Sequence, residues 1–316
     1  MLNENTREEI KKACYEEKET KTRFLDLKDL KVELTDNSIN PYKTMCNMAL
    51  CTWGTYNDKW ENLSPISRFY VVKSVLDRKA LPLALEAPAF AFSIENCSRA
   101  VFDQIARARI GVVFASKGWK DNDLNHLDYI IPSRIKDTES AEKYKWVVGR
   151  NKSLYKQIQK AGIPNWAARC ATGLYASHRF IMSINYKALQ ELCSRRMQTT
   201  EMEDCVGIAY KLRDEVLKAF PLLAHYMRPT CDWSRKDTTL AVNGFWEILG
   251  IPHISDGRHA TQEDITMQKG IALNQEPCTN LDYVARKLNI KIPGPNWKDL
   301  EWDDLDPIDK ELFSKK

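Results

Sequence analysis

The stretch from Ala87 to Ser116 changes its hydrophobic period twice, and this limits the possible folds more than any other feature of the chain. Phe90, Phe92 and Ile94 alternate with Ala91, Ser93 and Glu95, the period of a strand with one buried face. Asn96 or Ser98 is placed to cap a helix running from about Arg99 to Ala108. IGVVFAS, Ile110 to Ser116, is β-rich and follows at once. A strand, a helix and a strand in such quick succession need a layered structure that holds both a sheet and helices.

A second unit of the same kind lies downstream. HRFIMSI, His178 to Ile184, alternates again; Asn185 is a good cap for the helix YKALQELCS, and Arg195 and Arg196 close it. Thr200 and Glu203 have capping-box spacing, and Met202, Cys205, Val206, Ala209, Leu212, Val216 and Phe220 form one apolar helical face that Pro221 ends. Upstream, the pattern predicts a short strand at Val32 to Leu34 and helices near Pro41 to Leu50 and Ser64 to Leu76. Residues 1–30 are dense in charge of both signs, as in a solvated helix or an arm on a partner. Residues 233–316 are less regular, with NGFWEILG, a helix after Asn280 and the acidic tail NWKDLEWDDLDP. The expected organisation is a charged extension over 1–30, a central domain over 31–232 and a C-terminal extension over 233–316.

Several chemistries are disfavoured. The nine cysteines are scattered, with no C-x-x-C and no zinc spacing, which fits reduced thiols. No dinucleotide fingerprint, P-loop, H-E-x-x-H or G-x-S-x-G is present. His253 and His259 lie near Asp256, where ordinary loop histidines are a better reading than a metal site, so no metal is expected. There is no signal peptide and no run long enough to span a membrane, so a cytoplasmic location is expected. A net charge of +4 permits a phosphate-bearing ligand. Basic and aromatic residues are read as dispersed, which makes nucleic acid an unlikely partner.

The stretch DQIARARIGVV places Arg107 and Arg109 directly before an apolar run. Arginine is costly to bury unless an anion or carboxylate meets it. Arg99, Asp103 and Arg107 fall at i, i+4 positions and would make a surface ladder of ion pairs. In the strand–helix–strand context they instead face a cleft, with Gln104 one turn back from Arg107. Arg195 and Arg196 complement a helix dipole or meet a ligand, and Asn185 is at least a cap.

Together the two units resemble the flavin-dependent thymidylate synthases, the ThyX family. FSIENCSRAVFDQIARARIG resembles the region in which a strand leads into S-R-A…Q-x-x-R-H-R. AARCATGLYASHRFIMSIN with YKALQELCSRR is similar to the A-R…N…R pattern, with Arg169, Asn185 and Arg196 at its spacings. Glu86 stands at the place of the family's L-E-H, and the match runs over roughly residues 31–232.

The resemblance implies a mixed α/β (α+β) fold, a mixed sheet flanked by helices, and a homotetramer with sites at subunit junctions. It implies transfer of a one-carbon unit, methyl or hydroxymethyl, from methylenetetrahydrofolate to C5 of a pyrimidine nucleoside monophosphate. dUMP is favoured over UMP or dCMP, with FAD as cofactor and NADPH as reductant. By position, Arg196 is the catalytic residue that activates the pyrimidine. Gln104, Arg107, Ser116, Lys117 and Arg169 join it around the nucleotide, and Arg107, Arg109, Asn185 and Glu191 touch the flavin. The chain departs from the pattern at Leu81, Ala87, Ala108, Lys117, Trp119 and Lys120, where the family has histidine, histidine, histidine, serine, arginine and tyrosine. Lys117 and Lys120 are placed to restore charge, and Trp119 either stacks on a base or packs. These departures keep two further readings in play, a ThyX-like fold that binds nucleotide without flavin and a nucleic-acid-binding protein.

Overall fold

The protein is described by a computed structural model covering residues 3–8, 22–53, 59–78, 81–120, 122–136, 138–197, 202–228 and 299–315. In chain order the elements are β1 (Phe24–Leu25), β2 (Lys31–Asn37), α1 (Pro41–Trp53), α2 (Pro65–Leu76), β3 (Ala89–Ser98), α3 (Arg99–Ile105), β4 (Val112–Ser116), β5 (Tyr129–Ile130) and α4 (Ser133–Lys136). There follow α5 (Ser140–Lys160), α6 (Asn165–Ala168), β6 (Ser177–Asn185), α7 (Tyr186–Arg196), α8 (Glu203–Ala219), α9 (Pro221–His225) and α10 (Pro307–Ser314). The chain divides into two compact units, Met1–Asp26 with Gly118–Ser177, and Leu27–Lys117 with His178–Lys316.

The larger unit is built on a four-stranded sheet in the order β2-β3-β6-β4. The alternation predicted for β3 and β6 holds. Phe90, Phe92 and Ile94 on β3, and Phe180, Met182 and Ile184 on β6, are all buried. They share one core with Cys205, Ile208, Ala209, Leu212 and Val216 of α8. β4 pairs antiparallel with β6, Val113 opposite Ser183 and Ala115 opposite Ile181.

Of the two candidate caps of α3, Ser98 is the one used. Its hydroxyl accepts from Val101 N at 3.1 Å and donates to Asp204 Oδ2 at 2.6 Å. Asn96 instead takes a left-handed φ of +60°, which asparagine tolerates, and donates Nδ2 to Asp29 O. The helix ends at Ile105 and not near Ala108. Arg107 N to Gln104 O and Ala108 N to Ile105 O are i→i+3 bonds, so the chain leaves the helix in a tightened last turn. Arg107 therefore leaves the expected ladder, and only Arg99 and Asp103 pair, at 3.1 Å. α8 begins at Glu203 behind Met202, with Glu203 and Asp204 in its first turn, where acidic groups complement the helix dipole. Thr200 of the expected capping box lies outside the described residues, as do NGFWEILG, the helix after Asn280, and His253 and His259.

The C-terminal segment docks on the larger unit. Phe313 of α10 is fully buried and stacks on Tyr42 with ring centroids 4.6 Å apart. Arg68 is also buried and lies over the Trp60 ring; it donates to the carbonyls of Trp60 at 2.8 Å and Phe313 at 2.6 Å. At Phe313 a charged donor thus meets a carbonyl of the last turn of α10, where intrahelical donors run out. Asp309 accepts from Tyr42 Oη at 2.5 Å and from Leu222 N at 2.8 Å.

The smaller unit pairs β1 with β5 in parallel. Arg23 fixes the N-terminal strand by donating to Asp128. A satellite core gathers Leu124, Tyr129, Val148, Tyr155, Ala168 and Ala176, and Trp119 packs against it. Trp119 therefore takes the packing role. Among the described residues, no helix is long and apolar enough to cross a membrane.

Two stability measurements test the C-terminal dock. Phe313→Ala should cost about 3–5 kcal/mol in denaturant unfolding; a loss below about 1 kcal/mol would mean that α10 is not part of the core. Burial raises the Asp309 carboxyl to about 7 from its ordinary 3.8. The folded state therefore holds a proton that the unfolded chain releases, and stability falls as pH rises from about 4 to about 7. Asp309→Asn should remove this component, so the parent should lose stability relative to the variant across that window.

Candidate anion-binding site

The larger unit brings together the ends of its two strand–helix segments. One Nη of Arg196, in the last turn of α7, donates to the backbone oxygen of Gln104 at 3.2 Å. A helix leaves its last carbonyls without intrahelical donors. A guanidinium from one helix thus serves the end of another, and the dipole role read for Arg196 is realised across elements. Gln104 is half-buried, and its buried Oε1 meets no hydrogen-bond donor among the described residues. A buried acceptor left unpaired costs about 1–3 kcal/mol.

The segment between α3 and β4 carries Arg107 and Arg109, both exposed. Among the described residues neither meets a carboxylate, and neither does Arg169. Ser116 and Lys117 are exposed at the end of β4, with Lys117 N bonded to Arg179 O. Asn185 caps α7, its Oδ1 accepting from Ala188 N at 2.9 Å. Glu191 is half-buried on the same helix. Arg169 belongs to the smaller unit, on the turn Arg169–Ala171. The larger unit therefore contains Gln104, Arg107, Arg109, Ser116, Lys117, Asn185, Glu191 and Arg196, while Arg169 stands on the other.

Two contacts escape the sequence reading. Gly111 has φ +71°, and a Cβ there would lie 2.4 Å from Asn185 Nδ2; its carbonyl also accepts from Asn185 N at 2.8 Å. A glycine directly after an R-x-R and before a strand is the available signal, since only glycine takes this backbone freely. Lys187 Nζ meets Glu86 Oε1 at 2.6 Å, which anchors the Pro82–Glu86 turn to the start of α7. No histidine belongs to this set. Burial lowers the His178 imidazole to about 4, with Arg99 adding to the effect, so it is neutral near pH 7. Leu81 and Ala108, at two of the family's histidine positions, pack against the main core. Among the described residues, no group of three or more His, Cys, Asp or Glu side chains is arranged for a metal.

Fold and site together define a mixed α+β protein with cationic groups beside a helix junction. The family model described as "Thymidylate synthase complementing protein" matches residues 8–222, and the chain belongs to that family as a divergent member. It is 28% identical over 156 residues to a flavin-dependent thymidylate synthase of Pyrococcus abyssi, covering 48% of this chain and 62% of that protein. It is 27% identical over 213 residues to the flavin-dependent thymidylate synthase of Pyrococcus furiosus, covering 65% and 84%. Among solved structures, a UMP/dUMP methylase, PolB from Streptomyces cacaoi bound with 5-Br dUMP, is similar at a TM-score of 0.54 and 13% identity. The alignment covers 65% of this chain and 96% of that one, a likeness of fold.

A double-mutant cycle tests the Gly111–Asn185 contact. Gly111→Ala should cost about 2–3 kcal/mol through its left-handed backbone and the clash. Asn185→Ala should cost about 1 kcal/mol through loss of the cap. The double variant should cost less than the two together, because the clash has lost its partner; strict additivity would show that the two residues are not coupled.

Proposed function

We propose that the chain transfers a one-carbon unit to C5 of a pyrimidine nucleoside monophosphate, with dUMP the favoured substrate and UMP or dCMP the alternatives. The observation that carries this reading is the junction of Arg196 with Gln104, where a guanidinium is held at the meeting of the two strand–helix segments. A pyrimidine base offers a carbonyl oxygen for the cation. C5 is a weak nucleophile, and a cation held where charge develops on the ring lowers the barrier to its attack. Arg196 takes this role, and Gln104 orients the base. Phosphate is met by guanidinium, ammonium and hydroxyl donors, and in this reading Arg107, Lys117 and Ser116 of the larger unit take that role. Family membership and the UMP/dUMP methylase of like fold support the substrate class.

The exposed Arg107 and Arg109 fit the anionic portion of FAD, and Asn185 and Glu191 are the polar groups assigned to the flavin. Reduced flavin, when bound, supplies the hydride that completes the methyl group. Methylenetetrahydrofolate is the carbon donor and NADPH the reductant. In this reading the protein works as a homotetramer.

A second reading has its own support. Leu81 and Ala108 are turned to packing where the family has histidine, which favours a chain that keeps the nucleotide and has dropped the flavin.

The deciding experiment is tritium release from 5-tritiated dUMP and UMP in the presence of FAD, methylenetetrahydrofolate and NADPH. Release should occur, and Arg196→Ala should lower turnover by about 100- to 1,000-fold with a smaller change in nucleotide affinity. No release together with calorimetric binding of nucleotide but not FAD would replace the first reading by the second. Failure to bind any nucleotide would end both.

A further inference from the structure

The proposed reaction uses nothing from α5. Residues 140–177 hold seven basic side chains and one acidic, a net +6 on a chain whose total is +4. The helix buries Ala141, Val148 and Tyr155. Two of its cations are committed: Lys145 pairs with Glu142 at 2.6 Å, and Lys152 turns inward to Leu127 O and the Thr22 hydroxyl. Lys143, Arg150, Lys156 and Lys160 are exposed, and among the described residues none meets a carboxylate. They are spread over about 25 Å of helix. Around the exposed half of the helix, Trp146 lies between Arg150 and Lys160; it is 63% exposed, with the Arg150 guanidinium 5.2 Å from its ring centroid. Val147 and Leu154 add exposed apolar surface beside it. This corrects the expectation that basic and aromatic residues are dispersed: KYKWVVGRNKSLYK concentrates both on one helix.

We propose that this face of α5 binds single-stranded nucleic acid, with phosphates at Lys143, Arg150, Lys156 and Lys160 and a base stacked on Trp146. A row of cations with an exposed aromatic is what a strand with unpaired bases fits: phosphates meet the charges, and any base can stack regardless of sequence. A duplex hides its ring faces and leaves the indole without a partner. A second copy docked face to face would set these cations against each other. The inference stands independently of the nucleotide reading, because its residues lie outside the proposed site.

The test is fluorescence anisotropy of the full chain with a labelled oligothymidylate of about 20 nucleotides, across a salt series. Four phosphate contacts predict a slope of log K against log salt of about −3. The triple variant Lys143→Glu, Lys156→Glu, Lys160→Glu should bind at least about tenfold more weakly, with a flatter slope. Trp146→Ala should lose about tenfold at an unchanged slope, and Trp146→Phe should recover most of it. No binding at low salt would overturn the proposal, as would variants that bind like the parent. So would binding to the matching duplex or to phosphatidylserine vesicles that equals or exceeds binding to the single strand.

Discussion

The contact between the Arg196 guanidinium and the Gln104 carbonyl is the interaction on which the rest of the larger unit's site depends. Both helices end beside the same sheet, and each leaves carbonyls that need donors. A single guanidinium answers the end of α3 while remaining on α7, so the ends of the two strand–helix segments are held in register by one charge-assisted bond. The loop between them is fixed at both sides. Ser98 and Asp204 hold the start of α3, and Gly111 meets Asn185 where β4 begins. Arg107 and Arg109 are thus exposed side chains on a constrained backbone. A backbone already held in place loses less entropy when a ligand arrives.

The family match ends at residue 222, yet the fold does not. The backbone N–H of Leu222 donates to Asp309, and the same carboxyl accepts from Tyr42 at the head of α1. Burying an acid in an apolar layer is costly, and two donors offset part of that cost. Phe313 fills the space among Tyr42, Trp60 and Phe69, and Arg68 takes up the carbonyls at the end of α10. Residues from beyond the family's span therefore complete a core that the family's own segment leaves open on the side of α1 and α2.

The fold was legible where periodicity is strong. β3, β6 and α8 each bury one continuous face, so Phe90 to Ile94, Phe180 to Ile184 and Cys205 to Val216 announce themselves. α5 did not, because only Ala141, Val148 and Tyr155 are buried along its length and three small or polar-tipped positions give little pattern. The end of α3 was misplaced because good helix-forming residues continue past Ile105, while the turn is dictated by Gly111 and the pairing of β4 with β6, which lie farther along the chain. The site was legible only as residue types at matching spacings. Whether an arginine is committed to a carboxylate depends on tertiary neighbours: Arg99 has Asp103, and Arg107, at the same spacing again, meets none among the described residues. Asp309 carried no signal at all, since its partners Tyr42 and Leu222 are remote in sequence.

The replacement of histidine by Ala108 changes the physics of the loop as well as its contacts. An imidazole titrates near pH 6.5 and makes the local charge depend on pH. Arg107 and Arg109 flank this position, so the loop presents two guanidinium groups and no imidazole. The chain has nearly as many acidic as basic residues, 43 against 47, and could have neutralised them. Among the described residues neither meets a carboxylate, and two like charges so close repel each other, a cost that an anion between them would relieve.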